Sequence, residues 1–255
     1  VRIVSLSPAA TEIVFAVGKG GNIVAVDQFS NFPEDAKKIT HLVDHQRVSI
    51  AAIREQKPDL ILTGTVIQER LAKELKDAGL PVFHQDPRTL DAVMKSIVDL
   101  GIVIEAEEQA QAVVMQMKED ARQLQVKAKL LPRKAKIYCE EWHLPPMVSG
   151  NWVPEVIAIS GAQSFPIKSG ELSREVSLTE VQAFDPDVIV ISWCGAGRMA
   201  DKKILMEREG WDSLRAVQKK SVFVIDDSLL NRPGPRLTEG ARQLFTFTFQ
   251  VLHGG

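Results

Sequence analysis

The residue types that carry most protein chemistry are thinly spread in this chain. Five histidines, His41, His45, His84, His143 and His253, are scattered over 255 residues. His41 and His45 have the spacing that places two imidazoles on one helical face. Leu42-Val43-Asp44 between them reads as a loop, and no third ligand stands nearby, so no metal site is expected. Cys139 and Cys194 are too few for a disulfide scaffold and too far apart in sequence for a zinc or redox pair, so both are expected to be free thiols. There is no Gly-x-Ser-x-Gly elbow and no Walker loop. Gly195-Ala196-Gly197-Arg198-Met199-Ala200 does fit the Gly-x-Gly-x-x-Ala fingerprint after a predicted strand, with Asp226 ending a later strand. That pattern makes a dinucleotide-dependent enzyme the rival reading. Two features oppose it: the motif falls late in its half of the chain, and polar Asp201-Lys202-Lys203 follows. No catalytic set is expected.

What remains is a supply of aromatic and small side chains, placed by a regular series of elements. Residues 2–6 read as a buried strand, and Ser7 before Pro8 reads as the cap of a helix that Gly18 stops. Strands follow at 23–26, 60–62 and 80–83, with helices at 49–56 and 68–78. From 90 to 131 no strand signal appears. Ala106, Ala110, Val113, Met117, Ala121, Leu124 and Ala128 recur at spacings of three and four, the apolar stripe of one long helix. Strand signals return at 136–139, 188–192 and 222–225, with helices at 153–160 and 237–252. Lys57-Pro58-Asp59 before the third strand is echoed by Asp185-Pro186-Asp187 before 188–192. The expected architecture is α/β: two Rossmann-like lobes with parallel sheets, residues 1–88 and 132–255, joined by a helical linker at 89–131 that carries the long helix.

In open α/β sheets ligands sit beyond the carboxyl ends of the strands. Those ends hold Phe29 and Phe32 in the first lobe, and Trp142, His143 and Trp193 in the second. The chain has four Trp and one Tyr, so two Trp at one rim point to a large apolar ligand. Lysine plus arginine is 31 against 33 acidic residues, a net charge of −2, which disfavours a nucleic-acid binder held by phosphate contacts. No apolar run approaches the roughly 18 residues of a membrane span.

Residues 3–13 (IVSLSPAATEI), 24–27 (VAVD), Phe32-Pro33 and 57–61 (KPDLI) resemble the helical-backbone class (class III) of substrate-binding proteins of ABC importers. Residues 140–155 (EEWHLPPMVSGNWVPE) and 231–236 (NRPGPR) are similar to the cobalamin-binding branch. The resemblance implies a monomer that catalyses nothing, carries no prosthetic group and delivers a corrinoid, cobalamin, from a cleft between two lobes to a permease. It implies ligand contacts from Ser7, Pro8 and Ala9, whose small side chains bring the main chain close, from Phe32, and from Trp142 and Arg232 on the other side. His143, Trp193 and Arg198 lie on the same predicted rim. A ferric siderophore or haem is the alternative cargo, for which Arg198, Arg232 and Arg236 offer a partial cationic cluster. Thr63-Gly64 and Ser173 stand where the cobalamin branch often has tryptophan. Permease docking is expected at one acid per lobe, Glu69 and Glu180. The expected location is extracytoplasmic, with a cytoplasmic one as the alternative because no signal peptide precedes Val1.

Overall fold

Ser7 starts the first helix as its place before Pro8 predicts. In the computed structural model, which describes residues 1–42 and 49–254, Ser7 Oγ accepts the Ala10 N–H at 3.4 Å and Pro8 occupies the first turn, where no N–H is needed. His45 lies outside the described residues. The chain divides into two compact units, Val1–Pro87 with Asp91–Gln116, and Arg88–Leu90 with Met117–Gly255.

The first unit holds β1 (Ile3–Ser5), α1 (Pro8–Ala16), β2 (Ile23–Val26), β3 (Thr40–His41), α2 (Ile50–Glu55), β4 (Leu60–Gly64), α3 (Glu69–Asp77) and β5 (Val82–Gln85). The sheet order is β3-β2-β1-β4-β5 and every pairing is parallel, so all five carboxyl ends open on one edge. Val4, Leu6, Ile61, Leu71 and Leu75 form the core of one face.

Residues 89–131, expected as a helical linker, form two helices, α4 (Leu90–Val103) and α5 (Glu107–Ala128); α5 is the long helix the stripe after Gly101 predicts, and the two units divide within it, after Gln116. Gly101 lies inside α4 and does not end it; a Cβ there would fall 2.4 Å from the Ala110 methyl, so the close approach of α5 calls for glycine. The chain turns at Glu105, whose φ is 55°. Along α5 the buried stripe includes Ala110, Val114, Met117, Ala121 and Leu124; Val114 replaces the expected Val113, and Ala128 is half-buried.

The second unit holds β6 (Lys136–His143), β7 (Pro146–Val148), α6 (Val153–Ile159), β8 (Gln163–Ser164), β9 (Arg174–Glu175), α7 (Leu178–Phe184), β10 (Val188–Ile191), α8 (Lys202–Met206), α9 (Arg215–Gln218), β11 (Val222–Val224) and α10 (Leu237–His253). β11, β10 and β6 pair in parallel, but β7 and β9 continue the sheet in antiparallel fashion, so this sheet is mixed. The sequence places 140–143 in a loop. The structure instead extends β6 through His143 and folds it back as a hairpin, because Trp142 pairs with Met147 and His143 with Pro146.

The repeated Pro-Asp motif has one physical role in both units. Asp59 Oδ2 accepts the Arg2 N–H at 2.7 Å, just before β1. Asp187 Oδ2 accepts the Lys136 N–H at 2.9 Å at the start of β6. Each carboxylate thereby satisfies the first donor of the neighbouring strand and sets its register. At Asp187 burial opposes ionisation, but the Arg133 fork (2.7 and 2.9 Å) and the Lys136 N–H outweigh it and hold the carboxyl below its usual range.

Candidate ligand-binding site

The carboxyl edge of the first unit is built around buried hydroxyls. Ser5 Oγ donates to the Ser7 carbonyl at 3.2 Å, Thr11 Oγ1 donates to Ser5 Oγ at 2.8 Å, and Ser30 Oγ donates to Asp27 Oδ1 at 2.5 Å. Gln68 joins the ends of β1 and β4: its Oε1 accepts the Gly64 N–H at 2.8 Å and its Nε2 donates to the Leu6 carbonyl at 2.6 Å. Gly64 is required because a Cβ there would lie 2.9 Å from Ser7 Oγ. Ser7 and Ala9 are themselves buried, so what this turn presents is main chain and half-buried Pro8. Beside it Phe29 and Phe32 are 39% and 42% exposed. At the end of β3, His41 Nδ1 lies 3.1 Å from the Asp27 carbonyl. A carbonyl only accepts, so Nδ1 is the donor in this bond.

The carboxyl edge of the second unit is aromatic. Trp142 is 40% exposed and its Nε1 donates to the Leu144 carbonyl at 3.0 Å. Its ring packs against His143 with centroids 5.1 Å apart, and His143 packs against Trp193 at 4.8 Å. Trp193 was expected on the open rim. It is buried, because its Nε1 donates to Glu140 Oε1 at 3.0 Å and draws the indole under the hairpin. His143 Nδ1 is buried with no hydrogen-bond partner among the described residues.

Beneath this row lies a buried cluster that sequence reasoning missed. Glu140 is fully buried in β6, and both its oxygens meet the Arg208 guanidinium, at 2.8 and 2.9 Å. Tyr138 OH donates to Glu140 Oε2 at 2.8 Å. The available signal was the charge inside an apolar strand, Ile137-Tyr-Cys-Glu-Glu-Trp142, which demands a partner. On the other side of β6, Ser173 Oγ donates to Glu141 at 2.5 Å, and burial pushes the Glu141 carboxyl up.

The glycine motif is not a phosphate cradle. The amides of Gly195 and Gly197 donate to Asp227 Oδ2 and Oδ1 at 2.9 and 2.8 Å, so a carboxylate already fills the turn. Only a short turn and the five-residue helix α8 follow, without the helix terminus a pyrophosphate needs. Arg198 is exposed on that turn. Arg232 is half-buried next to Asn231, whose Nδ2 donates to the Ser192 carbonyl at 2.8 Å. A surface cavity of about 500 Å³ lined by Arg122, Lys129 and Arg133 lies at the opposite end of this unit. Two of those cations are already paired, Arg122 with Glu119 and Arg133 with Asp187, and no aromatic lines it.

Cys139 and Cys194 are free. Burial pushes the Cys139 thiol up to about 12. Burial of the Cys194 sulfur, with the Glu141 and Asp227 carboxylates close by, pushes that thiol to about 12 as well, although the residue as a whole is exposed. The thiolate is the reactive form. Alkylation by iodoacetamide at pH 8 is therefore expected to run about a thousandfold slower in the native protein than in denaturant. Mass spectrometry of timed quenches checks this, and fast labelling of either residue in the native protein contradicts it.

A family model described as periplasmic binding protein matches residues 3–229. The chain belongs to the periplasmic binding protein family. Among curated members it is similar to the vitamin B12-binding protein of Vibrio cholerae, 30% identical over 250 residues that cover 96% of this chain and 88% of that one. It is equally similar to YvrC, an ABC transporter substrate-binding lipoprotein of Bacillus subtilis, 30% identical over 254 residues that cover 95% of this chain and 78% of that one. Among solved structures it is similar to the periplasmic vitamin B12 binding protein BtuF of Vibrio cholerae, with a TM-score of 0.78, 25% identity, and coverage of 99% and 98%. The periplasmic heme-binding protein RhuT from a Roseiflexus species shares the fold, with a TM-score of 0.85, 23% identity, and coverage of 99% and 99%. This periplasmic binding protein therefore has the fold of ABC-importer substrate-binding proteins of the helical-backbone class, and it is a solute binder, not an enzyme.

Proposed function

We propose that this chain is the extracytoplasmic binding component of a corrinoid importer, taking cobalamin as cargo and delivering it to an ABC permease. The observation that carries the reading is the Trp142–His143–Trp193 row at the carboxyl edge of the second unit, with Trp142 presented to solvent. A corrin ring offers broad apolar faces and an amide-rich periphery. Trp142 supplies a face, and His143 packs behind it. In the first unit, the main chain at Ser7, Pro8 and Ala9 and the exposed Phe32 ring contribute in the same way. Arg232 and Arg198 add donors. The relatives named for vitamin B12 binding support the same class of ligand.

Haem is the second reading, and one observation favours it. His41 donates Nδ1–H to the Asp27 carbonyl, the bond that commonly orients an imidazole which binds a metal through its other nitrogen. Against haem, the single tyrosine, Tyr138, is fully buried with its hydroxyl committed to Glu140, so it cannot serve as an iron ligand. Titration of the purified protein with cyanocobalamin, haemin and a ferric hydroxamate, read by tryptophan quenching and ligand absorbance, tests the proposal. Submicromolar binding of cyanocobalamin alone is expected. A Soret shift with haemin and no response to cyanocobalamin at a hundred micromolar overturns it.

A further inference from the structure

We propose that Glu140 and Arg208 are positioning residues of the ligand rim: neither is presented to the ligand, but together they fix the Trp142–His143 hairpin that is. The inference rests on the corrinoid reading and adds to it the residues that set the shape of its aromatic face.

The argument starts from what Arg208 touches. Its Nη1 and Nη2 donate to Glu140 Oε2 and Oε1 at 2.9 and 2.8 Å, and Nη2 also donates to the His143 carbonyl at 3.0 Å. The guanidinium lies over the Trp211 ring, 4.2 Å from its centroid. One planar cation thus ties the middle of β6 to its last residue and rests on a rigid platform. Glu140 in turn accepts from Trp193 Nε1, and Trp193 is the surface on which the His143 ring packs. Both routes end at the same place: the backbone of His143 and the ring of His143, with Trp142 packed beyond at a tilt.

Chemistry makes the assignment specific. A fully buried carboxylate in an apolar strand costs more than an apolar residue of the same volume unless every oxygen is satisfied. Here four donors fall on two oxygens, so the cost is met by an arrangement whose products are orientation and rigidity. The arrangement could have stabilised the strand with the Glu140–Arg208 fork alone. The extra bond to the His143 carbonyl is directed at the turn, where β6 gives way to Leu144 and Pro145. Lysine cannot replace Arg208 in this role, because a single ammonium does not span two carboxylate oxygens and a carbonyl in one plane.

The test uses the full chain with cyanocobalamin as the probe. Arg208→Lys is made alone and in the Trp142→Ala background, and Trp193→Phe is a milder second variant should Arg208→Lys not fold. Near-UV circular dichroism of the ligand-free protein reads the packed aromatic rings, and far-UV dichroism reads the backbone. The expected result for Arg208→Lys is a near-UV signal clearly reduced with far-UV unchanged, and a cyanocobalamin affinity about tenfold lower. In the Trp142→Ala background the same substitution is expected to cost less than twofold, because the group it positions is gone. Trp193→Phe is expected to cost about threefold by the same route. Equal losses with and without Trp142, or an unchanged near-UV signal, overturn the proposal. If the wild-type chain does not bind cyanocobalamin, the corrinoid reading falls, while loss of the near-UV signal in Arg208→Lys still supports the positioning role.

Discussion

Trp142→Ala is expected to weaken cobalamin binding by roughly five- to 150-fold, about 1–3 kcal/mol, the scale of an aromatic anchor at an interface centre. Three features make Trp142 the residue of choice. It is the exposed member of the chain's tryptophans, since Trp152, Trp193 and Trp211 are all buried. Its Nε1 is bonded to the Leu144 carbonyl, so the ring is held in place before the ligand arrives and little side-chain entropy is lost on binding. Its ring packs against His143 while 40% of the residue remains exposed, so surface is left for the ligand. Trp142→Phe keeps a face and is expected to lose less than Trp142→Ala. Equilibrium dialysis with cyanocobalamin measures both, and an affinity unchanged in Trp142→Ala removes this residue from the site. Tryptophan quenching should also lose most of its amplitude in that variant, because the remaining indoles are covered.

The second large effect is expected at the permease. The family resemblance assigns docking to Glu69 and Glu180, and their surroundings decide how that is tested. Glu69 is the first residue of α3 and is exposed. An acid there is favoured by the helix dipole and can be removed at small cost. Glu180 is different. Its Oε2 accepts from Ser177 N and Oγ at 2.9 and 3.0 Å, and its Oε1 pairs with Arg174 at 2.9 Å. It closes the capping box of α7, and the Ser177 N–H, then Arg174, hold its carboxyl below the usual range. A lysine at this position breaks the cap as well as the charge. Glutamine retains the capping geometry and removes only the charge. Glu69→Gln with Glu180→Gln is therefore expected to keep cobalamin affinity within twofold while reducing permease-dependent uptake at least tenfold, since opposite charges at an exposed rim mainly steer encounter and orientation. Normal uptake by the double variant, or a parallel loss of ligand affinity, rejects the docking assignment.

The sequence by itself determined the main parallel strands and the helices that flank them, in their order, but not the β6–β7 hairpin or the short strands β3, β8 and β9. Ser7-Pro8 before an apolar run, the strands of Ile and Val between polar helices, and the paired Pro-Asp entries are local signals, readable because capping and burial act over a few residues. The family followed from the same stretches. The aromatic rim was legible in part: Trp142 and Phe32 are exposed, but Trp142 lies in the extended end of β6 where the pattern gives a loop. Tertiary structure decided what local pattern does not encode. Trp193 looks like a rim residue because it follows a strand, but a carboxylate more than fifty residues away draws its indole inward. Gly195-Ala-Gly-Arg-Met-Ala200 looks like a phosphate turn until Asp227, distant in sequence, occupies its amides. Arg208 carries no motif at all, and its role exists only because the fold sets it under β6 within reach of Glu140 and the His143 carbonyl. In each case the deciding interaction is a hydrogen bond between residues far apart in the chain. Its strength depends on burial, and burial comes only from the packed fold.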